Sequence, residues 1–154
     1  MNDMTPARAE PPDLRIGGLR VWIDGRHNSE VADYWDGNWV EVLAEYVSAN
    51  SRVAVAGPIV HLSEIATLLS SCEKLARQSV QEAGLYCMEP NLKIELWAVP
   101  NGKVIGKVRI TPDHKSEMHD FGFALDDGEL AELLAACARL LEKYPLRNVT
   151  LTND

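Results

Sequence analysis

Two apolar stripes of helical period, each preceded by short alternating runs, limit this chain more than any other feature. In the first, Leu62, Ile65, Leu68, Leu69, Cys72, Leu75 and Ala76 share one helix face. Ser63, Glu64 and Thr67 stand in its early turns and Lys74 and Arg77 in its last, as the helix macrodipole favours. In the second, Leu130, Leu133, Leu134, Cys137, Leu140, Leu141 and Tyr144 form the stripe. Asp126 with Glu129 matches a capping box at its start, and Pro145 marks its end. A helix with a single apolar stripe has to bury it against another layer.

The other layer is legible as alternation. Leu14 and Ile16, then Leu19, Val21 and Ile23 on the opposite parity, flank Gly17-Gly18, which predicts a β-bulge or two short strands. Val40, Val42, Ala44 and Tyr46 form one face of a strand over 39–47, and Val53 and Val55 resume the pattern up to Gly57-Pro58. After the first helix come runs around Leu85 and Cys87, Leu92–Ala98, Val104–Ile110 and Phe121–Leu125. Pro100-Asn101-Gly102 predicts a hairpin with a type I′ turn. The expected order is βββαββββα. It is an α+β fold with a mostly antiparallel sheet of about six or seven strands and both helices on one face. No internal repeat or low-complexity tract is evident. Prolines at 6, 11 and 12 predict a disordered lead-in over 1–12, followed by a single domain over 13–146. Residues 147–154 are expected to be a tail, or a short edge strand through Val149 and Leu151.

A net charge of −8, from 23 acidic and 15 basic residues, gives no basic footprint for phosphate and argues against direct nucleic-acid binding. It suits a basic protein partner. No apolar run approaches the length of a membrane span, and the N-terminus lacks the pattern of a secretory signal. Cys72, Cys87 and Cys137 are odd in number and far apart, so buried reduced thiols and a cytoplasmic location are expected. The oligomeric state is left open.

The densest local signal is Asp33–Trp39, DYWDGNW, which packs three aromatics and two carboxylates around a glycine turn. Such a segment is either a turn stapled by its own rings or an exposed aromatic hot spot with an acidic rim, and both can hold together. Glu89-Pro90-Asn91-Leu92 reads as a strand connection, its proline fixing φ and its asparagine closing the turn. His114, His119 and Asp120 lack any recognised metal spacing and are expected to be solvated turn or edge residues. The chain has no nucleophile motif, P-loop or GxGxxG, so no catalytic residue is assigned.

Three phrases occur in order: YWDGNWV at Tyr34–Val40, Gly57-Pro58 before a helix, and EPNLKIEL at Glu89–Leu96. Together they resemble the WapI-like family of bacterial immunity proteins over about residues 13–145. The resemblance implies a cytosolic protein that neutralises the toxic C-terminal domain of a polymorphic toxin, often a nuclease. Neutralisation would be stoichiometric occlusion, with no turnover and no cofactor. The shared residues are Tyr34, Trp35, Asp36, Gly37, Asn38, Trp39, Glu89, Pro90 and Asn91, and they would mark either the framework or the interface. Immunity interfaces must differ from relative to relative, which favours the framework. Two other readings stay open. One is a small-molecule or regulatory binding module with a pocket lined by Trp35, Trp39 and Trp97. The other is a hydrolase, which a metal at His114 or His119 would revive.

Overall fold

Gly17-Gly18 is a turn between two strands. β1 (Leu14–Ile16) and β2 (Leu19–Arg26) pair antiparallel with Ile16 opposite Leu19. Gly17 takes φ +59°, a left-handed value that glycine adopts without steric cost. A Cβ there would also lie 2.6 Å from the Phe123 ring. The structure, a computed structural model, is described over residues 7–147, so the expectation for Val149 and Leu151 falls outside the described residues. Residues 7–12 of the lead-in lie across β2. The Arg8 guanidinium meets both Asp24 carboxylate oxygens, and Trp22 Nε1 donates to the Glu10 carbonyl at 3.0 Å.

β2 pairs with β3 (Trp39–Val47), and β3 with β4 (Arg52–His61), completing a four-stranded antiparallel sheet in the order β1-β2-β3-β4. β4 runs through Gly57-Pro58 rather than stopping there. Pro58 is tolerated because, among the described residues, β4 is an edge strand with no neighbour on its outer side. α1 (Leu62–Ala76) follows directly. Then β5 (Glu82–Tyr86), β6 (Leu92–Ala98), β7 (Val104–Ile110) and β8 (Asp120–Leu125) form a second antiparallel sheet in sequential order. α2 (Asp127–Lys143) closes the fold, with Asp126 and Glu129 forming the expected capping box.

The fold is α+β and antiparallel as the alternation implied, but the strands among the described residues number eight and divide into two sheets. Hairpin-length connections exist only within each group of four. Between the groups stands α1, whose 15 residues span roughly 22 Å and deliver the chain to a new starting edge. Each helix serves the other group: α1 packs on β5, α2 packs on β1, and the helices pack on each other. Val40, Val42, Ala44 and Tyr46 of the first sheet, and Leu92, Ile94, Leu96, Val108 and Ile110 of the second, are buried in one core. Tyr46 stacks on Phe121 at 4.2 Å between ring centroids and ties the sheets together.

The ββββα order therefore occurs twice, a repeat that the strand patterning did not reveal. Its trace survives in the helices, where Glu64, Ala66, Leu68, Leu69, Cys72 and Leu75 recur at constant separation as Glu129, Ala131, Leu133, Leu134, Cys137 and Leu140. The loops differ most. The β2–β3 connection covers residues 27–38, whereas its counterpart between β6 and β7 covers only 99–103. That shorter turn is not type I′. Val99 accepts from Gly102 N at 3.0 Å, and Gly102 alone takes positive φ (+77°), a type I turn followed by a left-handed glycine. Pro100 sits at the first central position, where its fixed negative φ excludes the primed turn.

Cys72 and Cys137 are fully buried, and burial pushes both thiols up to about 12. Since the thiolate is the reactive form, iodoacetamide at pH 8 should leave both unmodified in the native protein and label them on denaturation. Labelling at the rate of a free thiol without denaturant would contradict the packing of α1 on α2.

Candidate functional site

The β2–β3 loop is built around Asn38, a buried amide whose four hydrogen-bonding positions are all filled. Its Nδ2 donates to the carbonyls of Tyr34 (2.8 Å) and Arg147 (3.1 Å), while its Oδ1 accepts from Arg26 Nη1 and Arg147 N, both at 3.0 Å. Its own carbonyl accepts from Leu62 N at 2.8 Å, the first residue of α1. One side chain thus fastens the loop to β2 and to the segment after α2, while its backbone holds α1. Arg26 also reaches the carbonyls of Gly37 and Pro145, and Arg147 those of Ser29 and Val31. Burial, and then the neighbouring Arg147, hold the Arg26 guanidinium below its usual range. The two cations are spent on the loop's carbonyls.

Within the loop, Asp33 Oδ1 accepts from Trp35 N at 2.6 Å and Asp36 N at 3.2 Å, a side-chain turn that explains an aspartate at this position. A Cβ on Gly37 would lie 2.3 Å from the Val31 carbonyl oxygen, so no larger residue fits there without displacing backbone.

The three aromatics converge on His61, a residue that sequence reasoning missed. His61 is fully buried. The rings of Tyr34, Trp35 and Trp39 lie 5.4, 5.6 and 5.1 Å from its own. It is the N-cap of α1: Ser63 N donates to Nδ1 at 3.2 Å, which leaves Nε2 to donate to the Tyr34 carbonyl at 3.1 Å. Its place three residues before Glu64 fits a capping box. Histidine simply lies outside the Ser/Thr/Asp/Asn set by which such caps are recognised.

Glu64 carries the connection onward. Its Oε1 accepts from His61 N at 2.8 Å, and its Oε2 accepts from Met88 N at 2.7 Å. The carboxylate is buried and bridges the first phrase to the connection that holds Glu89-Pro90-Asn91. Burial first, then this carboxylate, pushes the Cys87 thiol upward. Asn91 closes the next link, with Nδ2 donating to the Thr111 carbonyl at 2.9 Å and its carbonyl accepting from Thr111 N at 2.9 Å. Glu89 and Pro90 are exposed between these anchors. The two phrases, about fifty residues apart in sequence, are joined through the start of α1.

Trp35 stands apart within this frame. Its ring meets that of Tyr34 in a T-shaped pair at 5.2 Å, yet 55% of the residue remains exposed. Trp97 does not join Trp35 and Trp39. It lies opposite Ile105 on the solvent side of the second sheet, so the three tryptophans line no common pocket. A cleft at the other end of the molecule is lined by Leu75, Gln78, Val80, Val99, Asp127 and Leu130, and contains none of them. His114 is exposed, and His119 lies 3.4 Å from Glu117 at the edge of β8. Among the described residues no group of three or more His, Cys, Asp or Glu is placed to hold a metal ion. No helix among them is long and apolar enough to cross a membrane.

The model of the immunity protein WapI-like family matches residues 14–145. That stretch runs from the first residue of β1 to just beyond α2, and takes in all three phrases and the residues that join them. No curated protein and no solved structure matches the chain.

Proposed function

The chain belongs to the WapI-like family of immunity proteins, and from that membership we propose that it neutralises a cognate toxin by binding it. The mode is stoichiometric occlusion of the toxin's active domain in the cytoplasm, without turnover or cofactor. The observation that carries this reading is the family match over both ββββα units, since it covers the whole described fold rather than one motif. The net charge of −8 supports a basic toxin domain, such as one that acts on nucleic acid.

The test is co-expression with the C-terminal toxin domain encoded beside this gene. Growth arrest by that domain should be relieved, and the two chains should co-purify one to one. Neither rescue nor co-purification would overturn the proposal. Rescue at strongly substoichiometric levels would point to catalysis instead of occlusion.

A further inference from the structure

Among the described residues five large apolar side chains are exposed: Val31, Trp35, Tyr86, Met88 and Met118. Four of them, Val31, Trp35, Met88 and Met118, lie in connections at one end of the molecule, while Tyr86 ends β5 beside them with its ring folded back over Gly84. Val31 and Trp35 lie in the β2–β3 loop, and the Trp35 ring is 5.6 Å from that of His61 at the start of α1. Glu64, three residues on, holds Met88 N at 2.7 Å, which brings the end of β5 and the β5–β6 connection to the same place. Asn91 then binds Thr111, so the β7–β8 loop carrying Met118 belongs there too. The opposite end, with the short Val99–Lys103 turn, has no such residue among those described.

Apolar side chains scattered singly over a surface need no explanation, but their confinement to one end does. The same three connections (residues 27–38, 87–91 and 111–119) carry six carboxylates, Glu30, Asp33, Asp36, Glu89, Asp113 and Glu117, against a single lysine, Lys115. Glu30, Asp36 and Glu89 form no ion pair among the described residues. The two nearby arginines, Arg26 and Arg147, are occupied by loop carbonyls. Exposed apolar side chains set among carboxylates, Met88 next to Glu89 and Trp35 next to Asp36, match a partner surface that combines apolar area with lysine or arginine.

We propose that this loop end is the face that docks the toxin domain, with Trp35 and Met88 as apolar anchors and the carboxylates steering a basic protein surface onto them. The proposal rests on the toxin-binding reading and adds where, and through which chemistry, the partner is held. It also separates two roles within the shared phrases. Asn38, Trp39 and Asn91 build the platform, while Trp35 and the residues beside Glu89 stand on it.

The experiment is titration of the neighbouring gene's toxin domain against the full chain and three variants. Trp35→Ala should weaken binding by at least about 30-fold, the scale of an interface hot spot. Met88→Lys should do at least as much, because it removes an anchor and sets a cation against a basic face while leaving the Glu64 bond to the backbone intact. Asn101→Lys, at the tip of the opposite turn, should change affinity less than threefold. Thermal melts of each variant separate lost binding from lost folding, and Met88→Lys carries the test if Trp35→Ala perturbs the loop. If wild type binds and both loop-end variants stay within threefold, the docking face is overturned and the toxin-binding reading stands. If the wild type itself does not bind, both fall.

Discussion

Replacing Asn38 with alanine is expected to cost about 3 kcal/mol of folding stability, because four hydrogen bonds to a fully buried amide disappear together. The cost exceeds a sum of ordinary surface bonds for a specific reason. The carbonyls of Tyr34 and Arg147 and the amide of Arg147 lie in partly buried positions where water has limited access. Arg26 keeps its bonds to Gly37 and Pro145 and so softens the loss. For a chain of this size the change corresponds to a melting point about 6–12 °C lower. Urea denaturation would measure it directly. The same variant should make the 27–38 loop susceptible to protease before the sheets unfold, since the amide is what fastens that loop to β2. A loss under about 1 kcal/mol would show that the loop holds itself through the aromatic cluster alone.

The second large effect contrasts two equivalent positions. Glu64→Gln is expected to cost about 2–4 kcal/mol, and Glu129→Gln about 0.5 kcal/mol, although both residues complete a capping box in matching helices. The difference follows from the acceptor count. Glu129 receives one N–H, from Asp126, at an exposed site, and a glutamine oxygen can take its place. Glu64 receives two N–H groups on two different oxygens in a buried site. Glutamine offers one oxygen, so its NH2 group must face either His61 N or Met88 N, donor against donor. Paired chemical denaturation of the two variants checks this, and equal losses would sink the bridging role assigned to Glu64.

Much of the fold was legible because it depends on local periodicity. Val40, Val42, Ala44 and Tyr46 alternate and are buried as that alternation requires. Leu130, Leu133, Cys137 and Leu140 recur at helical spacing and form the buried face of α2. Asp126 and Glu129 predicted their own cap. The Pro100-Asn101-Gly102 turn stands where the sequence predicts it but is not type I′, because the proline ring at the first central position fixes a negative φ.

The candidate site was legible only in part. Its phrases stood out by composition, but His61 and Glu64 did not, since nothing near them in sequence marks a buried cap or a two-way acceptor. Neither could sequence order show that Tyr34, Trp35 and Trp39 would meet one histidine more than twenty residues away. The doubling of ββββα is hidden in the sequence for a related reason. Alternating apolar residues are common to all strands, and a connection over 27–38 against one over 99–103 puts the two halves out of step.

The sequence by itself determined most of the strand and helix segments, where α2 begins and ends, and the acidic net charge. Those properties follow from neighbours within a few residues along the chain. Only the tertiary structure decided that the described strands form two sheets of four, and that two phrases separated in sequence share one platform. It also decided that Trp35 and Met88 emerge at the same end as the unpaired carboxylates. These outcomes depend on where α1 delivers the chain after β4 and on hydrogen bonds between distant backbones, which no local pattern encodes.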